Sequence, residues 1–223
     1  MSAREAVASS RIRPVMLEGP AGPLEGLLQE RDAHDHDLTA VVCHPHPLYG
    51  GTMHNKVAHR TASVLHALGA AVLRFNFRGV GRSAGAHDRG HGELEDARAA
   101  LDFLRARYPG ARRWAAGFSF GAWVAARLAA AEPDIGRLVL VAPPVGTANF
   151  DVLARLEIPK LVIQGTADVT CPPGRLRVQF PGWADPKTLV EVAGATHFFD
   201  RHLGDLAAAL SGALSGAVRG EGP

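Results

Sequence analysis

Cysteine is scarce in this sequence, and long apolar runs and an excess of one charge are missing from it. Only 2 of its 223 residues are cysteine, Cys43 and Cys171. That number cannot build a disulfide framework, and it is typical of proteins from a reducing compartment. No window approaches the roughly 18 apolar residues that a membrane-spanning helix needs, and the N-terminus has no signal-peptide run. These absences predict a cytoplasmic protein without a membrane partner.

The charges of the chain are balanced. Its 24 lysines and arginines face 22 aspartates and glutamates, which gives a formal net charge of +2, and they are spread along the chain without a basic stripe. Nucleic-acid binding needs such a stripe to follow the phosphates, so nucleic acid is excluded as an expected partner. The expected partner is a small molecule, with the protein a monomer or a homodimer.

A chain of 223 residues that is 47% hydrophobic is long enough to bury one core and too short for two large domains. We expect a single domain over residues 14–218. Residues 1–13 and 219–223 lack apolar periodicity and are predicted to be flexible termini.

Short apolar runs alternate with longer amphipathic segments along the whole chain. Eight runs are typical of strands: residues 14–18, 23–30, 38–43, 70–77, 112–118, 137–142, 160–165 and 187–192. Helical patterns fall near residues 54–68, 92–107, 120–131 and 202–218. Such alternation indicates a three-layer α/β fold, in which a mostly parallel sheet carries helices on both faces and an antiparallel hairpin at its edge. Its functional site is expected at the carboxyl ends of the strands.

The stretch GFSFG, residues 117–121, has the features of a turn that presents a nucleophilic serine. An apolar strand leads into Ser119, and the helix pattern AWVAARL follows it. Glycines two residues on either side are needed because strand and helix approach too closely there for a Cβ atom. The position also places the serine at a helix N-terminus, where the helix dipole favours developing negative charge. Ser119 is therefore the predicted nucleophile.

A second stretch, GRSAG at residues 81–85, has the same spelling without the same context. The segment FNFRGV separates Ser83 from its strand, and turn-forming residues rather than a helix follow it. We interpret it as a flexible loop at the rim of the site.

A serine hydroxyl needs a base to take its proton and a carboxylate to orient that base. On this kind of sheet the chain order is serine, acid, histidine. Asp168 follows the strand LVIQG and His197 follows the strand LVEV, so both lie at predicted carboxyl ends. His202 falls five residues after His197, where the last helix begins. The sequence therefore predicts Asp168 and His197 as the partners of Ser119.

The negative oxygen of a tetrahedral intermediate needs two backbone N–H donors. The first is predicted to be that of Phe120, directly after the nucleophile. The second is expected in the loop CHPHPLYGGT, residues 43–52, where the prolines have no N–H to donate. Leu48 is favoured and His46 remains open, with Tyr49 a weaker candidate.

Eleven histidines raise the question of a metal site. No H-E-x-x-H pattern occurs, and neither His34 with His36 nor His44 with His46 completes a ligand set. We predict no metal and no cofactor, interpret His34 and His36 as solvated loop residues, and expect His44 to shape the loop that carries the second oxyanion donor.

GFSFGAW, GTAD and GATHFF resemble the α/β-hydrolase superfamily over about residues 14–215. HPHPLYGGTMHNKV and LRFNFRGVGRSAG are similar to a group of small bacterial members of the dienelactone-hydrolase-like, carboxylesterase type. The resemblance implies an eight-stranded sheet, a triad of Ser119, His197 and Asp168 and no cofactor. It also implies that GRSAG is a structural loop after the fourth strand.

Many members of this superfamily carry a helical cap after the sixth strand, but only residues 142–159 are available for one here. We therefore expect no cap domain and an open site. Its expected rim residues are Tyr49, Phe118, Phe120, Val145, Phe198 and Trp183. The expected activity is hydrolysis of small or accessible carboxylic esters through an acyl-enzyme, with thioester or peptide hydrolysis, or an inactive binding scaffold, as alternatives.

Overall fold

The first two strands form an antiparallel hairpin at one edge of the sheet. The structure, a computed structural model, describes residues 10–31 and 36–218. Strands β1 (Ser10–Gly19) and β2 (Gly22–Arg31) pair over their whole length, and Gly22 has a φ of +109° at the tight connection. Both strands are longer than the sequence pattern predicts, and β1 includes residues 10–13, which we expected to belong to a flexible terminus. They were missed because they are exposed and show no alternation. The rest of the two predicted flexible termini, residues 1–9 and 219–223, lies outside the described residues.

Six further strands complete a single sheet. They are β3 (Leu38–Cys43), β4 (Ala71–Phe75), β5 (Arg112–Phe118), β6 (Ile135–Val141), β7 (Lys160–Gly165) and β8 (Lys187–Val192). The spatial order is β1-β2-β4-β3-β5-β6-β7-β8, with antiparallel pairing of β1 with β2 and of β2 with β4 and parallel pairing elsewhere. This is the mostly parallel, eight-stranded sheet that the sequence predicts.

Helices cover both faces of the sheet. They are α1 (Lys56–Ala67), α2 (His91–Arg107), α3 (Phe120–Ala131), α4 (Pro173–Gln179) and α5 (Leu203–Val218). Helices α2 and α3 bury their apolar residues in one core, and α1 and α5 bury theirs in a second core on the opposite face. Burial of these two apolar surfaces is the main force that holds the three layers together. Helix α4 was not predicted, because it has seven residues, begins with a proline and buries only Leu176.

The chain between β6 and β7 is short and adds no cap over the sheet. Within it only one 3-10 turn forms, Asp151–Ala154, and Leu153 of that turn is fully buried against the core. The carboxyl ends of the strands therefore stay open. In the part of the chain that the structure describes, no helix has the length and apolarity needed to cross a bilayer.

Candidate active site

Ser119 occupies a strained turn between strand β5 and helix α3. Its φ of 55° and ψ of −120° lie outside the regions that L residues favour. A Cβ atom on Gly117 would come within 2.1 Å of the Gly121 carbonyl oxygen, and one on Gly121 within 2.3 Å of the Cys43 carbonyl oxygen. Glycine is therefore required at both positions for the turn to close against β3.

The predicted side chains of Ser119, His197 and Asp168 lie in a row, with His197 between the other two. The Nε2 atom of His197 lies 3.1 Å from Oγ of Ser119, and its Nδ1 atom lies 2.8 Å from Oδ2 of Asp168. Because a carboxylate only accepts, Nδ1 carries the proton and the lone pair of Nε2 faces the serine hydroxyl. Asp168 is fully buried and His197 is 6% exposed.

Asp168 is held by four hydrogen bonds in the turn after β7. Its Oδ1 accepts from the backbone N–H of Thr170 at 2.9 Å and of Cys171 at 2.7 Å. Its Oδ2 accepts from Gln164 Nε2 at 3.0 Å in addition to His197. The residue thus closes an Asx turn and orients the imidazole at the same time, so the structural and the functional interpretation of Asp168 are compatible.

His197 follows β8 in a loop that packs closely against the end of β7. A Cβ atom on Gly165 would lie 2.3 Å from the Ala195 carbonyl oxygen, so glycine there allows the two loops to meet. The ring of Phe118 packs against that of His197, with the ring centroids 4.9 Å apart. The competing residue, His202, instead faces Asp205 at 2.8 Å.

The second G-x-S-x-G stretch, residues 81–85, has a structural role. Ser83 is buried, donates its hydroxyl to the Asn76 carbonyl oxygen at 2.7 Å and accepts the Glu25 N–H at 3.0 Å. It therefore ties the end of β4 to β2. The interpretation of a flexible rim loop is wrong for Ser83, whereas the structural loop implied by the family resemblance matches what is found.

The backbone N–H of Phe120, directly after Ser119, makes no hydrogen bond within the described parts of the chain, and neither does that of His46, whose ring lies 4.8 Å from the ring of Phe120. The N–H of Leu48 already donates to His46 Nδ1 at 3.3 Å, and the Leu48 side chain is 68% exposed. The structure therefore does not favour Leu48, the preferred second oxyanion donor of the sequence analysis. His46, the alternative left open there, has the free N–H.

A cavity of about 570 Å³ opens beside Ser119. Its aromatic lining residues are His46, Tyr49, His87, Phe120 and Trp123, and its remaining lining residues are Arg89, Pro144, Thr147, Ala148, Asn149, Thr170 and Cys171. The ring of Phe120 stands at the centre of the aromatic group, 4.8 Å from the ring of His46 and 5.7 Å from that of Trp123. The cavity has the size and the apolar character of a small-molecule site.

The predicted rim is only partly correct. Tyr49 and Phe120 line the cavity, and Phe198 is 45% exposed beside His197. Phe118 and Val145 are buried in the cores, and Trp183 is buried in a stack on Phe150. These three positions were misassigned because an aromatic or apolar residue in a loop can pack inward as easily as it can face a site.

The loop between β4 and α2 carries site residues that were not predicted from the sequence. Glu93 is fully buried and accepts the N–H of Asp88 at 3.0 Å and that of Gly90 at 2.7 Å. Its Oε1 also lies 2.8 Å from His87 Nδ1, without the alignment of a hydrogen bond. Arg89 takes a φ of 50° in this loop, and its side chain lines the cavity. A glutamate at the third position of a helix is a capping signal that could have located this loop.

His44 shapes the loop after β3, as expected. It is fully buried, its Nδ1 donates to the Pro45 carbonyl oxygen at 2.6 Å and its Nε2 accepts the Phe77 N–H at 3.0 Å. Burial lowers the pKa of His44 to about 4, so the imidazole is neutral at pH 7. Burial and the nearby His87 also lower the pKa of His46.

His36 is not the solvated residue that we expected. It is buried, accepts the Arg31 N–H at Nε2 over 3.2 Å and faces the Gly69 carbonyl oxygen with Nδ1 at 3.4 Å. It thereby joins the end of β2 to the loop before β4. His34 lies outside the described residues.

Metal-binding side chains come together at one place in residues 10–31 and 36–218. Asp168, Cys171 and His197 each offer one ligand atom, and these atoms lie within 4.8 Å of one another. The group includes two of the predicted site residues. Cys171 and Cys43 are both free thiols and both buried.

Part of this chain matches a known protein family, and a larger part matches one curated relative. The family model described as serine aminopeptidase, S33, matches residues 36–151. An uncharacterized protein of Rickettsia prowazekii is 42% identical over 158 residues, which are 69% of this chain and 66% of that protein. The chain thus spans just under two thirds of that relative.

Two solved structures are similar over nearly the whole chain. An α/β serine hydrolase homologue from Coxiella burnetii is 38% identical with a TM-score of 0.86, covering 91% of this chain and 97% of its own. A serine hydrolase without a lid from Xanthomonas campestris is 40% identical with a TM-score of 0.85, covering 94% and 96%. The chain therefore belongs to the serine aminopeptidase S33 family and is a lidless member of the α/β-hydrolase superfamily.

Proposed function

We propose that this protein is a serine hydrolase that cleaves small or accessible carboxylic esters through an acyl-enzyme intermediate. One observation carries the proposal: His197 contacts Ser119 Oγ through Nε2 and the buried carboxylate of Asp168 through Nδ1. A nucleophile, a base in the correct tautomer and an orienting carboxylate are the three parts that such chemistry needs.

The geometry supports a mechanism in two halves. Ser119 Oγ attacks the ester carbonyl carbon while its proton passes to His197 Nε2, and the imidazolium that forms is stabilised by Asp168. The intermediate collapses when Nε2 returns the proton to the departing alcohol oxygen, which leaves the acyl group on Ser119. A water molecule then gives a proton to Nε2 and attacks the acyl carbon, and the acid is released as the proton returns to Ser119.

Two free N–H groups are proposed to bind the negative oxygen that forms in each half. Phe120 donates from the start of helix α3, where the helix dipole adds to the effect. His46 donates from the loop after β3. Both groups belong to backbone that is held in place, by the turn at Ser119 and by the hydrogen bonds of His44.

The two sides of Ser119 are proposed to receive different parts of the ester. His197 has to protonate the alcohol, so the alcohol leaves on the side of His197, where the exposed ring of Phe198 lies 5.1 Å from the imidazole. The acyl group then occupies the aromatic cavity on the side of Phe120 and Trp123. We expect the enzyme to select its acyl group more strictly than its alcohol.

A peptidase that recognises a free amino terminus is the less favoured candidate. An ammonium group needs a carboxylate to pair with it in a desolvated site. Within the described residues the cavity has Arg89 and two histidines in its lining and no aspartate or glutamate. This charge distribution disfavours an amino-terminal peptide and does not distinguish esters from thioesters.

A labelling experiment combined with a rate measurement tests the proposal. The protein is treated with a fluorophosphonate, the adduct is located by mass spectrometry, and p-nitrophenyl acetate and butyrate are assayed beside an aminoacyl p-nitroanilide and a thioester. We expect the adduct on Ser119 and not on Ser83. Ester turnover should be lost in Ser119→Ala but kept in Ser63→Ala, because the Ser63 hydroxyl lies on helix α1 and donates to the His59 carbonyl oxygen. Absence of an adduct in folded protein would support the inactive scaffold, and a faster anilide would support the peptidase.

The cellular setting is also a proposal. Cys43 and Cys171 are both free thiols, which supports a reducing compartment such as the cytoplasm. A small-molecule ester is the only partner that the proposal requires.

A further inference from the structure

We propose that Asp168, Cys171 and His197 form a binding site for a thiophilic divalent cation, best fitted by Zn²⁺, and that binding switches the hydrolase off. The binding half of the inference stands on the geometry alone, and the inhibitory half rests on the proposed function.

The three ligand atoms are already close to the arrangement that zinc requires. They lie within 4.8 Å of one another, and all three residues are buried. In a tetrahedral zinc site with bonds of about 2.0 to 2.3 Å, ligand atoms are roughly 3.5 Å apart. The widest separation therefore has to shorten by no more than about 1.3 Å for the site to close.

The chemistry of the ligands selects the metal. A thiolate, an imidazole and a carboxylate are the ligands that Zn²⁺ takes in proteins, whereas Mg²⁺ and Ca²⁺ prefer oxygen alone. The fourth position is available to Ser119 Oγ, 3.1 Å from His197 Nε2, or to water from the cavity. The cavity also gives the ion a route, since Cys171 and Ser119 both line it.

Cys171 is fixed beside the triad through its own backbone. Its N–H donates to Asp168 Oδ1 at 2.7 Å, and its carbonyl oxygen accepts from Gln164 Nε2 at 2.9 Å. The thiol therefore keeps its place next to Asp168 and His197. Cys43 is a useful contrast, because its side chain is equally buried but lies in the apolar core of the sheet.

Without a metal the Cys171 thiol is expected to be inert. Burial and the nearby Asp168 raise the pKa of Cys171 to about 12, so it neither competes with Ser119 as a nucleophile nor oxidises easily. Zn²⁺ bonds to the sulfur and displaces the thiol proton to solvent, as happens at other cysteine ligands.

The ion removes the general base whichever ring nitrogen of His197 it binds. If it binds Nε2, the lone pair that faces Ser119 is occupied. If it binds Nδ1, the proton of that nitrogen moves to Nε2, which then cannot accept another. In both cases the Ser119 proton has no acceptor, and hydrolysis stops.

Cobalt gives a readout that does not depend on activity. Co²⁺ takes the same ligands as Zn²⁺ and shows a near-ultraviolet charge-transfer band when a thiolate binds it. After treatment with EDTA and its removal, the protein is titrated with Co²⁺ and the spectrum recorded. We expect the band in the wild type, in Ser119→Ala and in Cys43→Ser, and its loss in Cys171→Ser and Cys171→Ala, with thermal melting to verify that each variant is folded.

Zinc inhibition of ester turnover tests the second half. Each variant is compared with its own rate in EDTA. We expect micromolar Zn²⁺ to inhibit wild type and Cys43→Ser, EDTA to restore both, and the inhibitory concentration to rise at least tenfold in Cys171→Ser. A wild type without the cobalt band, or equal zinc inhibition in Cys171→Ser, would overturn the inference. The band without any esterase activity would instead contradict only the proposed function.

Discussion

The Nε2 atom of His197 and the Oγ atom of Ser119 lie 3.1 Å apart although 78 residues separate them in the chain. Each residue follows a different parallel strand, β8 and β5, and the sheet brings the ends of those strands to one edge. The contact therefore depends on the whole sheet, and its energetic and chemical consequences can be measured.

Replacing Asp168 by Asn should reduce turnover by about 10⁴-fold. Asn can still accept the Thr170 and Cys171 N–H groups, but its amide turns toward His197 Nδ1 and forces the ring proton onto Nε2. The measurement is kcat for a p-nitrophenyl ester, with the exposed Asp205→Asn as matched control because it also faces a histidine. A loss of less than tenfold in Asp168→Asn would show that the carboxylate does not orient the base.

The assignment of His46 as oxyanion donor can be tested with a pair of substitutions. His46 has a φ of −54°, which proline also adopts, so His46→Pro removes the N–H while keeping that dihedral angle. We expect kcat to fall about 10²- to 10³-fold in His46→Pro, whereas His46→Ala, which keeps the N–H, should lose much less. Equal losses in the two variants would assign the effect to the imidazole instead.

Gly121→Ala should destabilise the fold. Its Cβ atom would lie 2.3 Å from the Cys43 carbonyl oxygen and 2.4 Å from that of His44, and neither backbone atom can move away easily. We expect the free energy of unfolding to fall by about 2 kcal/mol or more in a urea titration. Gly212→Ala in helix α5 is the control, because nothing lies within 4 Å of its Cβ position and alanine favours the helix. If both variants were equally stable, the close approach of α3 to β3 would be wrong.

Acid should destabilise this protein through His44. Its folded pKa of about 4 lies below the 6.5 of the unfolded chain, so between these values the unfolded state binds the additional proton. Stability is therefore lost as the pH falls from 6.5 toward 4, by up to about 3 kcal/mol, and is unaffected by this group above pH 7.

The variant His44→Gln isolates that contribution from those of the other histidines. It is expected to be less stable than the wild type at pH 7, because the hydrogen bonds to Pro45 and Phe77 are disturbed, and to show a shallower decline in acid. Urea unfolding at pH 7, 6, 5 and 4.5 gives both quantities. Parallel pH profiles for the two proteins would mean that His44 titrates normally in the folded state.

The elements with strong local patterns could be predicted from sequence. The strands before Ser119 and Asp168 are apolar runs of ordinary length, and they were found at 112–118 and 160–165 as expected. The family resemblance supplied the superfamily, and the short segment at residues 142–159 predicted the absence of a lid. Membership of the dienelactone-hydrolase-like group stays a prediction, as do the catalytic roles of the three side chains.

The cavity as a whole could not be predicted, because its residues come from five separate segments, four loops and the start of helix α3. Trp123 lies on a helix that is apolar nearly all round, so its pattern does not show which residues meet the site. The Trp123 side chain reaches the site because Gly90 leaves room for its ring. A Cβ atom on Gly90 would lie 2.1 Å from that ring. Leu48 and His46 could not be separated either, since which N–H is free depends on where the His46 imidazole turns.

The backbone conformation at Ser119 costs stability, and an inactive scaffold would not need to bear that cost. Its dihedral angles are unfavourable for every L residue, by about 1 to 3 kcal/mol, and glycine would largely escape that penalty. In a protein that only binds its ligand, exchanging this serine for glycine would raise the free energy of unfolding and would remove no needed catalytic group. If the proposed function were lost, replacement of this serine by glycine would therefore favour stability, so a serine in this conformation is what the proposed function predicts.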